Sequence, residues 1–116
     1  MFGSHSDNGF EELIKGIKIK TISHGESTLM AKFLLSKGSS LPEHDHPYEQ
    51  TGYLVEGSIR LYIEDKSKVL TSGDSWSIPA NIKHKSEVIN DSIIIEVFSP
   101  CRPDYLQYIN AIDISE

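Results

Sequence analysis

The chain has 116 residues, 38% hydrophobic and 24% charged, enough for one domain with its own core and too few for two. Seventeen acidic residues against eleven basic ones give a net charge of -6, the wrong sign for a phosphate backbone, so no nucleic-acid partner is expected. Cys101 is the only cysteine, which excludes an internal disulfide and a cysteine-based zinc site, and apolar runs as short as Ile93-Ile94-Ile95 predict no membrane span.

In chain order, Met1-Phe2-Gly3-Ser4-His5-Ser6 lacks a basic start followed by an apolar stretch, and a reducing cytoplasm is the expected compartment. Phe10 to Ile14 is expected to form one helical turn or a short helix. Ile17 to Ile22 alternates apolar and polar, and Leu29 to Leu35 is a second strand-length run. Gly38-Ser39-Ser40-Leu41-Pro42 is a turn cluster, and Pro47 demands a strand edge or a bend. Tyr53-Leu54-Val55 leads into a predicted turn at Glu56-Gly57-Ser58. From Ser58 to Glu64, Ile59, Leu61 and Ile63 share one face while Arg60, Tyr62 and Glu64 share the other, into the barrel or into solvent. Asp65-Lys66-Ser67-Lys68 reads as a hairpin tip and Ser72-Gly73-Asp74 as a turn. The last strands are Trp76 to Ile78, about His84 to Val88, and Ser92 to Phe98, with a turn predicted at Asn90-Asp91. Pro103 and Asp104 suit the first turn of a helix carrying Tyr105, Leu106, Tyr108, Ile109 and Ile112. Many short strands separated by turn signals indicate an all-β, closed or sandwiched antiparallel barrel over about 17–99, then a short helix over about 103–112.

Chemistry concentrates in two stretches. In Gly38 to Gln50, His44 and His46 are two apart, so in a strand their imidazoles project to one side; Gln50 has the same parity, with Pro47 interrupting strict extension. Gly73 to His84 brings a third histidine to the start of a late strand. Three neutral imidazoles and a carbonyl oxygen suit a borderline divalent ion. Any two histidines in alternation share a face, however, so spacing alone leaves metal binding and plain strand-end histidines equally open.

Both stretches resemble the two cupin motifs, Gly-x5-His-x-His-x3–4-Glu-x6-Gly and Gly-x5-Pro-x-Gly-x2-His-x3-Asn. Gly38, His44, His46 and Gly57 fill the first, with Gln50 in place of Glu; Gly73, Pro79 and His84 fill the second, with Asn81 in place of Gly and Val88 in place of Asn. The resemblance implies a single cupin barrel, a small double-stranded antiparallel jelly roll. It also implies one divalent transition metal ion (Ni, Zn, Mn or Fe) on His44, His46, Gln50 and His84. A neutral amide in place of a carboxylate leaves such a cation its full charge, which strengthens it as a Lewis acid and weakens its binding.

A narrower resemblance covers His46 to Gly57 and Glu96 to Leu106, which look like the pectin-degradation cupins. Those open the ring of 4,5-unsaturated uronates to give linear 4-deoxy-5-keto-uronates. That family usually reads Asp-Val-Phe-Ser-Pro-Pro-Arg, its Asp and Arg being implicated in the reaction; here Glu96 stands where Asp does, and Phe98 and Arg102 are kept. The resemblance implies a metal-dependent enzyme acting on a small carboxylated sugar, with Glu96 and Arg102 catalytic. Two other classes stay open: an Fe(II)-dependent cupin dioxygenase, and a non-catalytic sugar- or metabolite-binding cupin.

The residues themselves allow competing roles. Glu96 lies inside Ile93-Ile94-Ile95-Glu96-Val97-Phe98, where a lone carboxylate is costly unless it is paired or faces a polar cavity. It is a candidate general acid or base, or else a structural ion-pair partner of Arg60 or Lys32. Arg102 has the bidentate fork a uronate carboxylate wants, and is equally an exposed helix-start residue. Phe98, Tyr53 and Trp76 are candidates to line a sugar-sized pocket, as is Tyr48, although strand aromatics more often pack in cores or interfaces. His5 and His24 read as surface histidines, and nothing near Cys101 marks a low-pKa thiol. Exposed strand edges and an apolar outer face lead to the expectation of a homodimer.

Overall fold

Side-chain alternation runs through nearly every segment, and in the computed structural model, which describes residues 1–115, the chain answers with ten strands. They are β1 (Phe2–Gly3), β2 (Glu11–Ile14), β3 (Ile17–His24), β4 (Leu29–Leu35), β5 (Ser40–His44), β6 (Glu49–Ile63), β7 (Lys66–Thr71), β8 (Ser75–Ile78), β9 (His84–Ser99) and β10 (Ile114–Ser115). The main sheet runs β2-β3-β4-β9-β6-β7, with β5 added to β9 and β8 to β6, all antiparallel.

The long strands β6 and β9 make this a two-layered jelly roll, the all-β architecture the sequence predicts. Their paired ribbon serves both layers. Glu49 to Leu54 pairs with β8 and the later part of β9, which continues into β4, β3 and β2. Ser58 to Ile63 pairs with β7 and the first part of β9, which carries β5. The ribbon passes between layers through register shifts from Leu54 to Ile59. The turns predicted at Glu56-Gly57-Ser58 and Asn90-Asp91 are therefore not chain reversals but the two strands of this bend. Gly57 has φ 105°, and a Cβ there would strike the Asp91 carbonyl and Ser92, so the bend requires glycine. The core between the layers is aliphatic and aromatic, with Ile19, Leu29, Leu54, Ile78 and Phe98 almost wholly buried.

Two expectations at the ends need correction. Phe10 to Ile14 forms no helical turn; Glu11–Ile14 is β2, folded onto β3 by a hairpin whose Gly16 has φ 82°. The helix expected over about 103–112 is instead two 3-10 segments, Pro103–Tyr108 and Ala111–Asp113. Tertiary contacts claim the backbone a longer helix would use: the Thr21 hydroxyl donates to the Tyr105 carbonyl at 2.6 Å, and Thr21 bridges to Ile109. The segment lies across the end of the barrel, its Tyr105 ring packed edge-on against Phe33 and Phe98.

Lys20 faces the opposite side of β3, where it is 3% exposed. A buried ammonium is tolerated only when fully paired. Lys20 donates to the Ser6 and Asn8 carbonyls and to Asp113, and so ties both ends of the chain to β3. No helix among the described residues is long and apolar enough to cross a membrane.

Candidate metal centre

The structure brings the three motif histidines together. His44 ends β5 opposite His84, which begins β9, and His46 follows two residues later. Their ring centroids stand 4.2 Å (His44–His84), 5.1 Å (His46–His84) and 5.7 Å (His44–His46) apart, and one nitrogen from each falls within 4.8 Å of the others. Backbone contacts hold them. The loop before β9 donates the Asn81 N–H to the His46 carbonyl at 2.7 Å, and Asn81 sits at φ 65°, a left-handed conformation that asparagine accepts in place of glycine.

Hydrogen bonding fixes which nitrogens face inward. The Nδ1 atoms of His44 and His84 lie 2.8 Å from the carbonyls of Pro42 and Ile82 and donate to them, leaving each Nε2 as a lone pair. His84 Nε2 is buried with no hydrogen-bond partner among the described residues. His46 places Nε2 2.6 Å from Gln50 Oε1, while its Nδ1 is buried without a partner among the described residues. The Nε2–Oε1 gap can be closed by the imidazole proton or by a cation bound to both atoms. Burial is the main influence holding His46 below the ordinary imidazole range and His84 at about 4, with Arg102 and the neighbouring histidines adding to it. Imidazole nitrogens turned inward, on two buried rings and the half-buried His44, are a donor set that suits a first-row divalent ion, so the cluster fits and could hold a metal ion.

The next row of the same sheet carries a carboxylate. Trp76 on β8, Gly52 on β6 and Glu96 on β9 stand opposite one another, and Ile78, Gln50 and Phe98 form the adjacent row. A Cβ at Gly52 would fall inside the Trp76 ring, so the bare glycine lets the indole lie across β6 and reach β9. Trp76 Nε1 then donates to Glu96 Oε2 at 3.0 Å, and Gln50 Nε2 donates to the same oxygen. Neither Arg60 nor Lys32 pairs with Glu96. Burial pushes its carboxyl above the ordinary range, opposed by the Trp76 and Gln50 hydrogen bonds and by the Arg102 charge.

Arg102 completes the site. Asp104 takes its Nε with both carboxylate oxygens, at 3.0 and 3.1 Å. The guanidinium lies 3.9 Å from the Tyr105 ring centroid, 5.0 Å from Phe98 and 5.3 Å from Tyr48. The side chain is 13% exposed, so it is no free surface residue. Its Nη groups make no hydrogen bond within the described residues.

Histidines 44 and 84, Gln50, Trp76, Glu96, Phe98 and Arg102 all line one cavity of about 260 Å³, whose remaining wall is largely aliphatic. Tyr53 does not join them. It is 49% exposed on the outer face of β6, because its parity is opposite to that of Gly52 and Leu54. Tyr62 likewise faces outward, bonded to Glu87. Gly52, Asp104 and Tyr105 were not singled out from sequence as site-forming. A glycine inside an alternating strand was the available signal for the first; nothing local marked the other two.

Comparison with known proteins agrees with this geometry. The family pattern described as "Cupin domain" matches residues 31–98. The pectin degradation protein KdgF of Dickeya dadantii is 32% identical over 99 residues, 84% of this chain and 90% of that protein. The structure of KdgF from Halomonas sp. superposes with a TM-score of 0.85 at 25% identity, covering 90% of this chain and 98% of that one. An RmlC-like cupin from Shewanella frigidimarina gives the same TM-score at 29% identity, over 90% and 94% of the two chains.

Proposed function

The chain belongs to the cupin domain family, and we propose that it opens the ring of a 4,5-unsaturated monouronate at this site. The observation that carries the reading is the convergence of His44, His84, a buried carboxyl and a caged guanidinium on one cavity, with His46 beside the other two imidazoles. The relatedness to pectin degradation proteins supports a small sugar acid as the substrate class.

The reaction is an isomerisation. The anomeric hydroxyl loses a proton as the C1–O5 bond breaks and C1 becomes an aldehyde; the enol left at C5 becomes a ketone as C4 takes a proton. His44, His46, His84 and Gln50 Oε1 would hold a divalent ion, which would supply Lewis acidity toward a substrate oxygen. Arg102, its Nε already occupied by Asp104, offers two Nη groups to the uronate carboxylate. Glu96 takes and returns the proton: Oε2 accepts both hydrogen bonds, leaving Oε1 for transfer. Its raised pKa makes it a better base than an ordinary carboxylate and keeps it closer to neutrality as an acid. Phe98 and Trp76 line the cavity and restrict water.

The substrate's conjugated double bond absorbs in the ultraviolet and vanishes on ring opening. With metal-loaded protein and an unsaturated monouronate, this absorbance falls faster than in buffer, and Glu96→Gln removes the acceleration. No acceleration with either galacturonate- or mannuronate-derived substrate would overturn the assignment. A homodimer belongs to the same proposal, supported by the exposure of Met30, Tyr53 and Val55 on the outer sheet face; light scattering would read twice the chain mass.

A further inference from the structure

The contacts around Gln50 assign a second task to the residues beside it. We propose that Glu96 and Trp76 are positioning residues for Gln50, fixing which end of its amide faces the three imidazoles. This rests on the metal-binding part of the reading above and is independent of the substrate.

A primary amide has two ends that differ in chemistry and hardly in shape. Only the oxygen can bind a cation, whereas the nitrogen carries two donors and no lone pair to give. A glutamine free to turn would present the wrong end part of the time. Gln50 cannot turn without loss, because turning would bring its amide oxygen against Glu96 Oε2, which already accepts from Trp76 Nε1. The nitrogen must therefore face Glu96, and the oxygen is left 2.6 Å from His46 Nε2.

The carboxylate is itself held. Trp76 donates to the same Oε2 at 3.0 Å, and the indole keeps its place only because Gly52 leaves room on β6. Trp76, Gly52 and Glu96 occupy one cross-strand row, with Gln50 and Phe98 in the next, so three strand positions impose one orientation on the Gln50 amide. A glutamate in place of Gln50 would need no such device, since its two oxygens are equivalent. The arrangement answers a requirement that arises only with an amide ligand.

A double-mutant cycle on metal affinity separates this role from a simple charge effect. Ni²⁺ binding is measured by calorimetry, without substrate, for wild type, Glu96→Gln, Gln50→Ala and the double variant. Outer-shell partners of metal ligands are typically worth about 10–100-fold in affinity. The expected result is a loss of that order for Glu96→Gln in the wild-type background and under about threefold in the Gln50→Ala background. Trp76→Phe keeps an aromatic ring and removes one donor; it should give a smaller loss that also disappears once Gln50 is gone. Equal losses in both backgrounds would show the carboxylate acting by its charge alone and would overturn the proposal, as would no loss in either. Failure of the wild type to bind Ni²⁺ at all would sink the metal centre itself, a result distinct from those two.

Discussion

Gln50 and Glu96 sit on neighbouring strands of one sheet, and the amide of the first donates to the carboxylate of the second while its oxygen is turned toward His46. This single contact joins the candidate metal ligands to the candidate proton-transfer group, and it has consequences for stability as well as for binding.

Gln50→Glu would place two carboxyl groups in contact in a buried site and remove a donor from Glu96. Glu96 Oε2 would keep only its Trp76 donor, and a hydrogen bond to a charged group is worth about 1.5–3 kcal/mol, so the metal-free variant should lose stability of that order in urea titrations. The exchange Gln50→Glu with Glu96→Gln restores one donor and one acceptor across the contact and should recover most of the loss.

Gly52→Ala tests the packing that brings Trp76 to Glu96. The added methyl would fall among the ring atoms of Trp76, so the indole must move. Overpacking of this kind costs about 1–3 kcal/mol. Trp76 is the only tryptophan, so its emission spectrum reports the displacement directly, and the shift should accompany the lowered unfolding midpoint.

Arg102→Lys keeps the charge and loses the planar fork. A charge-assisted hydrogen bond is worth about 1.5–3 kcal/mol, so KM for the monouronate should rise roughly 10–100-fold. The metal affinity should change far less, because Arg102 touches no proposed ligand atom.

Much of this was legible in the sequence, for identifiable reasons. Period-two alternation marked β3 and the later part of β6, a strand-length apolar run marked β4, and the two-residue spacing of His44 and His46 put both rings on one side. Residues two apart in a strand share a face, so Ile94, Glu96 and Phe98 lie together on one side of β9, and the burial pattern shows it. What misled was local turn chemistry. Glu56-Gly57-Ser58 and Asn90-Asp91 have turn composition, yet they lie side by side and bend together as one ribbon, a relationship only pairing reveals. Tyr105 carried helical spacing but spends its backbone carbonyl on Thr21. The cage around Arg102 draws on Tyr48, Phe98 and Tyr105 from three parts of the chain, and no window of sequence contains it.

Tyr105 gives the pH dependence with its sign. Burial raises its phenol above the ordinary value of 10.0 in the folded protein. The unfolded chain releases this proton near pH 10 while the folded one keeps it, so the folded state binds more protons above that pH. The contribution is whole below pH 10 and is lost as pH rises beyond it. Urea midpoints at about pH 9 and about pH 11 should fall more steeply for wild type than for Tyr105→Phe.

The account stands on a cation held between three imidazoles and one amide oxygen, and crystals soaked in Ni²⁺ and examined by anomalous diffraction test this most directly. One strong peak is predicted at about 2.0–2.1 Å from a nitrogen of each of His44, His46 and His84, with Gln50 Oε1 completing the set. Density elsewhere on the surface, with the three rings left bare, would contradict it.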